Sequence, residues 1–394
     1  MRDDLPKGFQ ASACGCAFKK TGRDDLGLIY SSQPCVLAGL FTQNRFCAAP
    51  VVLCKEILQT GAPVRCVVAN SGQANACTGE EGIEKARQCQ DMIAKAFGVE
   101  RDEVLPISTG VIGPQLDLTK WETGLPSLVR NLGTKDAEGF TRAFMTTDAF
   151  PKFAMRTVSL DKGSVRLTVM AKGAGMICPN MATMLCVVLT DALVARESWQ
   201  AMFGRAVQAT FNRVTVDGDT STNDTILGLA NGAAKVEVVG EGLKKFEAEL
   251  IEILADVAHM LVQDGEGASK VMRIVVHGAC SDSQAEIVAR SVGGSQLVKT
   301  AIYGGDANWG RIITAVGYSG AVFDPKDVSL KLCNIERFRN GAPCNEDLEE
   351  ELTKRLQAKE IPIEISLGTG SGTFTLEASD LGHEYVSLNA DYRS

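Results

Sequence analysis

Strand-like and helix-like segments are interleaved along this chain without a strict strand-helix-strand beat, which favours a layered α+β build over a doubly wound parallel sheet. The opening third carries short apolar stretches broken by Gly, Asn and Ser, such as LGLIYSS and VLAGLFTQN, and the mostly apolar run 64–69 leads into Asn70-Ser71-Gly72. These read as strands joined by tight turns. Over residues 80–97 the sequence puts Ile83, Ala86, Cys89, Met92, Ile93 and Phe97 on one helical face and charges on the other, predicting an amphipathic helix. Asp117 is placed to cap the free amides of a second helix, LTKWETGLPSLVRNL, which Pro126 is placed to kink or divide. Residues 165–170 alternate apolar and polar as a strand, and 184–189 form another after a loop rich in Gly, Pro and Asn.

Helices are predicted at 196–211 and 242–262, the second with Phe246, Leu250, Ile253, Leu254, Val257 and Leu261 on one face. Beyond Gly267 the texture changes to a strand at 272–277, a helix at 283–300, a strand at 328–333, an acidic helix at 346–358 and two final strands. This predicts a second, smaller α+β unit over about residues 270–394. A length of 394 residues agrees with two units, since single cores stop growing near roughly 250–300 residues. No Gly-rich turn follows a strand at dinucleotide-binding spacing.

A net charge of −8 without a basic stripe argues against nucleic acid as a partner. The first residues, MRDDLPKGFQASACGCAF, lack a signal-peptide apolar core, and no stretch approaches the roughly 20 apolar residues of a membrane helix, so a cytoplasmic placement is expected. The 13 cysteines include no CxxC pair, so they read as reduced, mostly buried thiols and no metal is expected. The cluster at 217–224, DGDTSTND, spaces oxygen ligands as calcium loops do, yet lacks their closing glutamate. It is read as a turn capping a helix near Thr225, or as a shell around a nucleophile supplied by another part of the chain. Residues 308–311, NWGR, read as a buried loop whose Trp packs and whose Arg bonds backbone.

The three histidines, His259, His277 and His383, sit in no catalytic motif, and GxSxG is absent, so another group must supply a base. The loop KGAGMICPNMATML at 172–185 places Gly173, Gly175 and Pro179 shortly before Ala182-Thr183, between two apolar strands. Such a loop can hold strain. A threonine there could attack the preceding carbonyl, undergo an N-to-O acyl shift and release itself as a new N-terminus. Its α-amine, ordinarily titrating at about 7.7 to 8.0, would then serve as general base beside its own hydroxyl. The plain alternative is a turn between two strands.

That loop, with VANSGQANACTG at 68–79, STGVIG at 108–113, MTTD at 145–148, DGEGASK at 264–270, GGDANWGR at 304–311 and the terminal NADYRS, resembles the ornithine acetyltransferase (ArgJ) family across nearly the whole chain. The resemblance implies an N-terminal-nucleophile-like layered sandwich, sheets between helical layers, with a smaller domain. It implies self-cleavage between Ala182 and Thr183 into an α chain, 1–182, and a β chain, 183–394, which stay associated, two of each. Thr183 would take acetyl from N2-acetylornithine and pass it to L-glutamate in a ping-pong cycle. Some members also accept acetyl-CoA as donor; no cofactor is expected beyond that co-substrate.

Within the resemblance, Thr109 and Gly110 match an oxyanion hole, where one donor is typically worth about 10²- to 10³-fold in rate. Read alone, they are a strand-end turn. Lys172 matches a substrate contact, and a cation suits the α-carboxylate of both amino acids; otherwise it is a solvated strand-end lysine. Glu266 matches a substrate contact, expected to pair with the ornithine side-chain ammonium or its amino group, its alternative being a surface glutamate at a helix end. Thr146 is preferred over Thr147 as a further contact. Asn389 and Ser394 match the substrate-reaching tail, with Ser394 standing where threonine is common. An N-terminal-threonine amidase or aminopeptidase would share all but the second step, and a non-catalytic binding protein would share only the fold.

Overall fold

The computed structural model describes residues 4–19, 22–178, 184–344 and 348–391. Ala182, Thr183 and Ser394 lie outside the described residues. The chain divides into two units, one of Met1–Asn212 with Asp219–Leu261, the other of Arg213–Gly218 with Val262–Arg393. In the first, chain order runs β1 (Phe9–Cys14), β2 (Leu26–Phe41), α1 (Ala49–Thr60), β3 (Val64–Gln73) and α2 (Gly79–Phe97). It continues through β4 (Val104–Val111), α3 (Leu118–Arg130), α4 (Ala137–Phe144), β5 (Lys152–Leu160), β6 (Gly163–Lys172), β7 (Leu185–Thr190) and α5 (Arg196–Ala209). After β8 (Val214–Thr215), which pairs in the second unit, come β9 (Thr225–Ala230) and α6 (Glu241–Gln263).

The first unit's sheet has the order β4-β3-β2-β9-β7-β6-β5, with β1 paired to β2. The long β2 pairs with β1 and β3 in its first half and with β9 in its second, the register shifting between Tyr30 and Cys35. Both β9 and β7 come after residue 183, yet they lie between β2 and β6, which precede residue 182. Period-two burial covers the sheet on both faces. Val67 and Ala69 of β3 share a core with Cys54 and Ile57 of α1 and Phe140 and Phe144 of α4. Cys66 and Val68, one residue out of phase, pack with Cys89 and Ile93 of α2 and Trp121 and Leu128 of α3. Each large apolar side chain buried in this way contributes about 1.5–3 kcal/mol.

Asp117 accepts from Thr119 N–H at 3.2 Å as the α3 cap, and α3 carries Pro126 in its interior yet runs on to Arg130. Thr225, expected near a helix start, instead opens β9, a wholly buried strand paired on both sides by β2 and β7. Its Gly228 is required by packing: a Cβ there would stand 2.7 Å from both Phe203 and Trp199 of α5. Trp199 Nε1–H donates to the Gly228 carbonyl at 3.0 Å.

The second unit continues with β10 (Val271–Ala279), α7 (Asp282–Gly293), α8 (Gln296–Gly304), α9 (Trp309–Gly317), β11 (Ser329–Leu332), β12 (Ile335–Arg339) and β13 (Ala342–Pro343). It ends with α10 (Glu349–Arg355), β14 (Glu360–Ser366), β15 (Gly372–Ser379) and α11 (His383–Asp391). Its sheet has the order β13-β12-β11-β14-β10-β15-β8. Met272, Ile274 and Val276 of β10 face a core with Val288 and Val292 of α7 and Ile363 of β14.

Three expectations fail in this unit. The single helix at 283–300 is two, because Gly293-Gly294 ends α7 and Ser295 caps α8 by accepting from Val298 N–H. The loop at 308–311 is the start of α9: Asn308 Oδ1 caps Arg311 N–H, Trp309 packs near Phe338 with ring centroids 5.8 Å apart, and Arg311 does bond backbone, at Leu297 O. A helix, α11, follows the final strand, so His383 and Asn389 are helical. Among the described residues no helix is long and apolar enough to cross a membrane.

Candidate active site

The parallel strands β3 and β4 end side by side, with Gly72 opposite Gly110 and Gln73 shifting register against Thr109 and Val111. Gly110 has φ +130, and a Cβ there would lie 2.3 Å from the Gly72 carbonyl carbon and 2.6 Å from Gln73 N, so only glycine permits this approach. Ser108 Oγ donates to Asn70 Oδ1 at 2.6 Å, and Asn70 Nδ2 donates to Gln73 O at 2.9 Å. From the segment before β9, Asn223 Nδ2 donates to Ala74 O at 2.6 Å and to Ser108 O at 2.8 Å, while its Oδ1 accepts from Thr222. One amide thus fixes the backbone on either side of the Gly72–Gly110 contact. The 217–224 cluster serves the fold through Asn223, not as a helix cap.

Thr225 N–H donates to Met184 O at 3.0 Å, and Leu185 stands opposite Lys172 in the β6–β7 register. Lys172, buried, donates from Nζ to Thr146 Oγ1 at 3.1 Å. Thr146 N–H donates to Asp148 Oδ2 at 2.9 Å, and Asp148 Oδ1 accepts from Lys152 Nζ and Gly173 N–H, both at 2.6 Å. The Asp148 and Lys152 side chains are 0% exposed. Burial pushes the Asp148 carboxyl up, but Lys152, Lys172 and the Gly173 N–H outweigh it and hold the group at about 2. Asp148 is therefore a fixed anion that orients Thr146 and the turn at Gly173, whose φ of +150 aims its N–H inward.

In the second unit Glu266 lies in the turn after α6, and Asn389 Nδ2 of α11 donates to its Oε2 at 2.8 Å and to Tyr385 O at 3.0 Å. Gly267 has φ +67, and a Cβ on it would stand 2.5 Å from Tyr385 N, so the first turn of α11 rests on this glycine. Ser269 N–H and Oγ both donate to Asp380, holding the turn from its other end. His277 is paired with Glu364 at 3.2 Å on the unit's sheet.

The predicted site residues that lie within the described part of the chain thus fall into three pairs: Thr109 with Gly110, Thr146 with Lys172, and Glu266 with Asn389. Thr146 rather than Thr147 accepts from Lys172. Sequence reasoning missed the organising roles of Asp148, Lys152 and Asn223, although MTTD and DGDTSTND contain two of them. The signal was a buried acid and a buried amide each bonded across long sequence separations, which spacing does not reveal. Chemically, the first unit offers a tight backbone turn beside a hydroxyl, and an ammonium held at a known point.

A model of the ArgJ family matches residues 10–394. The arginine biosynthesis bifunctional protein ArgJ of Nitratidesulfovibrio vulgaris is 57% identical over 389 residues, covering 99% of both chains. The protein of the same name from Geobacter sulfurreducens is 45% identical over 391 residues, covering 98% of this chain and 99% of its own. A crystal structure of ornithine acetyltransferase complexed with ornithine, from Mycobacterium tuberculosis, is 31% identical and covers 46% of this chain and 97% of that one, with a TM-score of 0.41.

Proposed function

The chain belongs to the ArgJ family, and from that premise we propose that it is the acetyltransferase of arginine biosynthesis that moves acetyl from N2-acetylornithine to L-glutamate through an acetyl ester on Thr183. The Thr183 hydroxyl oxygen attacks the acetyl carbon, and its proton passes to the α-amine of the same residue. That proton then goes to the α-nitrogen of ornithine as the C–N bond breaks. The glutamate amine next attacks the ester, returns a proton by the same amine to the Thr183 oxygen, and leaves as N-acetylglutamate. Thr109 and Gly110 would stabilise the oxyanion. Thr146 and Lys172 would hold the α-carboxylate end, and Glu266, Asn389 and Ser394 the remaining polar groups. The Thr183 amine would arise by self-cleavage after Ala182, giving chains 1–182 and 183–394 that associate two of each in the cytoplasm. Acetyl-CoA would serve as a second donor.

The reading is carried by one observation in particular: Lys172 stands opposite Leu185, two residues past Thr183, and is tied to Thr146 over a buried Asp148. A cation suited to a carboxylate is thereby held beside β7, the strand that follows the proposed nucleophile. Mass spectrometry of active protein should find masses split after residue 182, and Thr183→Ala should abolish both splitting and transfer. Full turnover by an unsplit chain would refute the proposal. An amidase of the same fold would release free acetate from acetylornithine whether or not glutamate is present, so following acetate against N-acetylglutamate separates the two.

A further inference from the structure

Another cation reaches this turn from a stretch outside every family-like sequence block. Lys19, between β1 and β2, donates from Nζ to the carbonyl oxygen of Met145 at 2.5 Å, one residue before the Thr146 that accepts from Lys172. Its backbone is pinned by the buried Asp25, which accepts from Lys19 N–H at 3.0 Å and from Cys16 N–H at 2.6 Å. The neighbouring Phe18 carbonyl oxygen lies 2.9 Å from the point a Cβ on Gly72 would occupy, and Gly72 is the register partner of Gly110. The loop carrying Lys19 is therefore set against the oxyanion turn on one side while its side chain reaches the Thr146–Lys172 pair on the other.

Among the described residues the Lys19 ammonium has one hydrogen-bond acceptor, the neutral Met145 carbonyl, although it is half-buried. The carboxylates near it are engaged: Asp25 accepts from two backbone N–H groups, and Asp148 from Lys152, Gly173 and Thr146. A desolvated cation so placed, beside a second cation, is stabilised by an incoming anion. We propose that Lys19 is a second carboxylate-recognising residue of the acyl-transfer site, sharing with Lys172 the α-carboxylate common to the acetylated donor and the acceptor amino acid. This rests on the acyl-transfer reading. Burial lowers the Lys19 ammonium to about 8; Asp25 and Asp148 favour its charge, while Lys172 and Arg23 oppose it. As pH rises through that value Lys19 loses its proton and carboxylate recognition weakens.

The test compares N2-acetylornithine with its α-carboxamide as donors to glutamate, in the wild type, Lys19→Met and Lys19→Arg. Lys19→Met should lose about 10- to 100-fold in kcat/KM on the carboxylate donor, the effect of removing a charged hydrogen bond, and little on the carboxamide. Lys19→Arg should retain most of the preference. In the wild type the ratio of the two kcat/KM values should fall several-fold between pH 7 and 9, and in Lys19→Arg it should stay flat. Titration of the Thr183 amine affects both donors alike and cancels in that ratio. Equal losses on both donors in Lys19→Met, as a mere tether of Met145 would give, or a pH-independent wild-type ratio, overturns the assignment. Absence of N-acetylglutamate from wild type with either donor would instead sink the acyl-transfer reading and this assignment with it. Should Lys19→Met fail to fold, the pH arm with wild type and Lys19→Arg decides alone.

Discussion

Asp148 and Lys152 are fully buried and bonded to each other, and Asp148 accepts from Gly173 and Thr146 as well, whereas Glu266 and Asn389 meet through a single 2.8 Å bond with Asn389 exposed on the last helix. The first arrangement fixes the Lys172–Thr146 geometry before any ligand arrives, because moving one member leaves a buried charge without a partner. The second can rotate apart at little cost, since an exposed polar contact exchanges readily with water. Rigid recognition of the invariant part of a substrate and adaptable recognition of its variable part would follow from such a division.

The sharpest way to break that contrast is Asp148→Ala, which takes from the buried Lys152 ammonium the carboxylate it is bonded to. It should cost about 3–5 kcal/mol of stability in denaturant unfolding, the usual penalty for breaking a buried ion pair. A loss no larger than that of an exposed site would void the distinction. The same carboxylate gives an acid signature. Its folded value of about 2 lies below the unfolded one near 4, so its contribution is complete above pH 4 and is lost as pH falls through 2. The acid shift of the urea midpoint over that window should shrink in Asp148→Asn.

Next in size is Gly110→Ala. Its methyl group would meet the Gly72 carbonyl carbon at 2.3 Å in a left-handed backbone, so the strand end must move and the proposed oxyanion donors with it. A loss of about 10²- to 10³-fold in kcat is expected, with circular dichroism unchanged; unaltered kcat would remove Gly110 from the catalytic apparatus. Lys172→Met should raise KM about tenfold, the effect of one lost ionic contact, with a smaller change in kcat. Asn389→Ala should shift unfolding by less than about 0.5 kcal/mol and KM by two- to threefold, since its bond to Glu266 is exposed. A larger effect there than at Lys172 would reverse the proposed division of labour.

Much of the architecture was legible where the signal is local. Helix α2 follows from the 3.6-residue spacing of Ala86, Cys89 and Ile93, and α3 begins where Asp117 can cap it. What failed was decided at long range. Thr225 follows a run of Asp, Ser, Thr and Asn that suits a helix cap as well as a turn, and only pairing with β2 and β7, under the Trp199 and Phe203 rings, makes it a strand. The terminal helix α11 carries exposed Val386 and Leu388, so its apolar pattern points nowhere. In the proposed site, the sequence blocks named Lys172, Thr146 and Gly110, but Asp148 joins residues 146, 152 and 173, the last two brought together by the β5–β6 pairing, and Lys19 belongs to no block. The residues proposed to bear the chemistry were named by the sequence blocks; the polar groups that hold them were not.

The interleaving of β7 and β9 between β2 and β6 gives the proposed break after Ala182 a thermodynamic meaning. Severing the chain there changes the molecularity of folding, since β2 finds its partner β9, and β6 its partner β7, only in the other fragment. Reassembly gains an additional encounter between fragments, so the midpoint of unfolding should climb more steeply with protein concentration in the cut enzyme than in an uncut Thr183→Ala chain. A molecule that breaks its own backbone in this topology can be denatured once but recovers only in proportion to how crowded its fragments are.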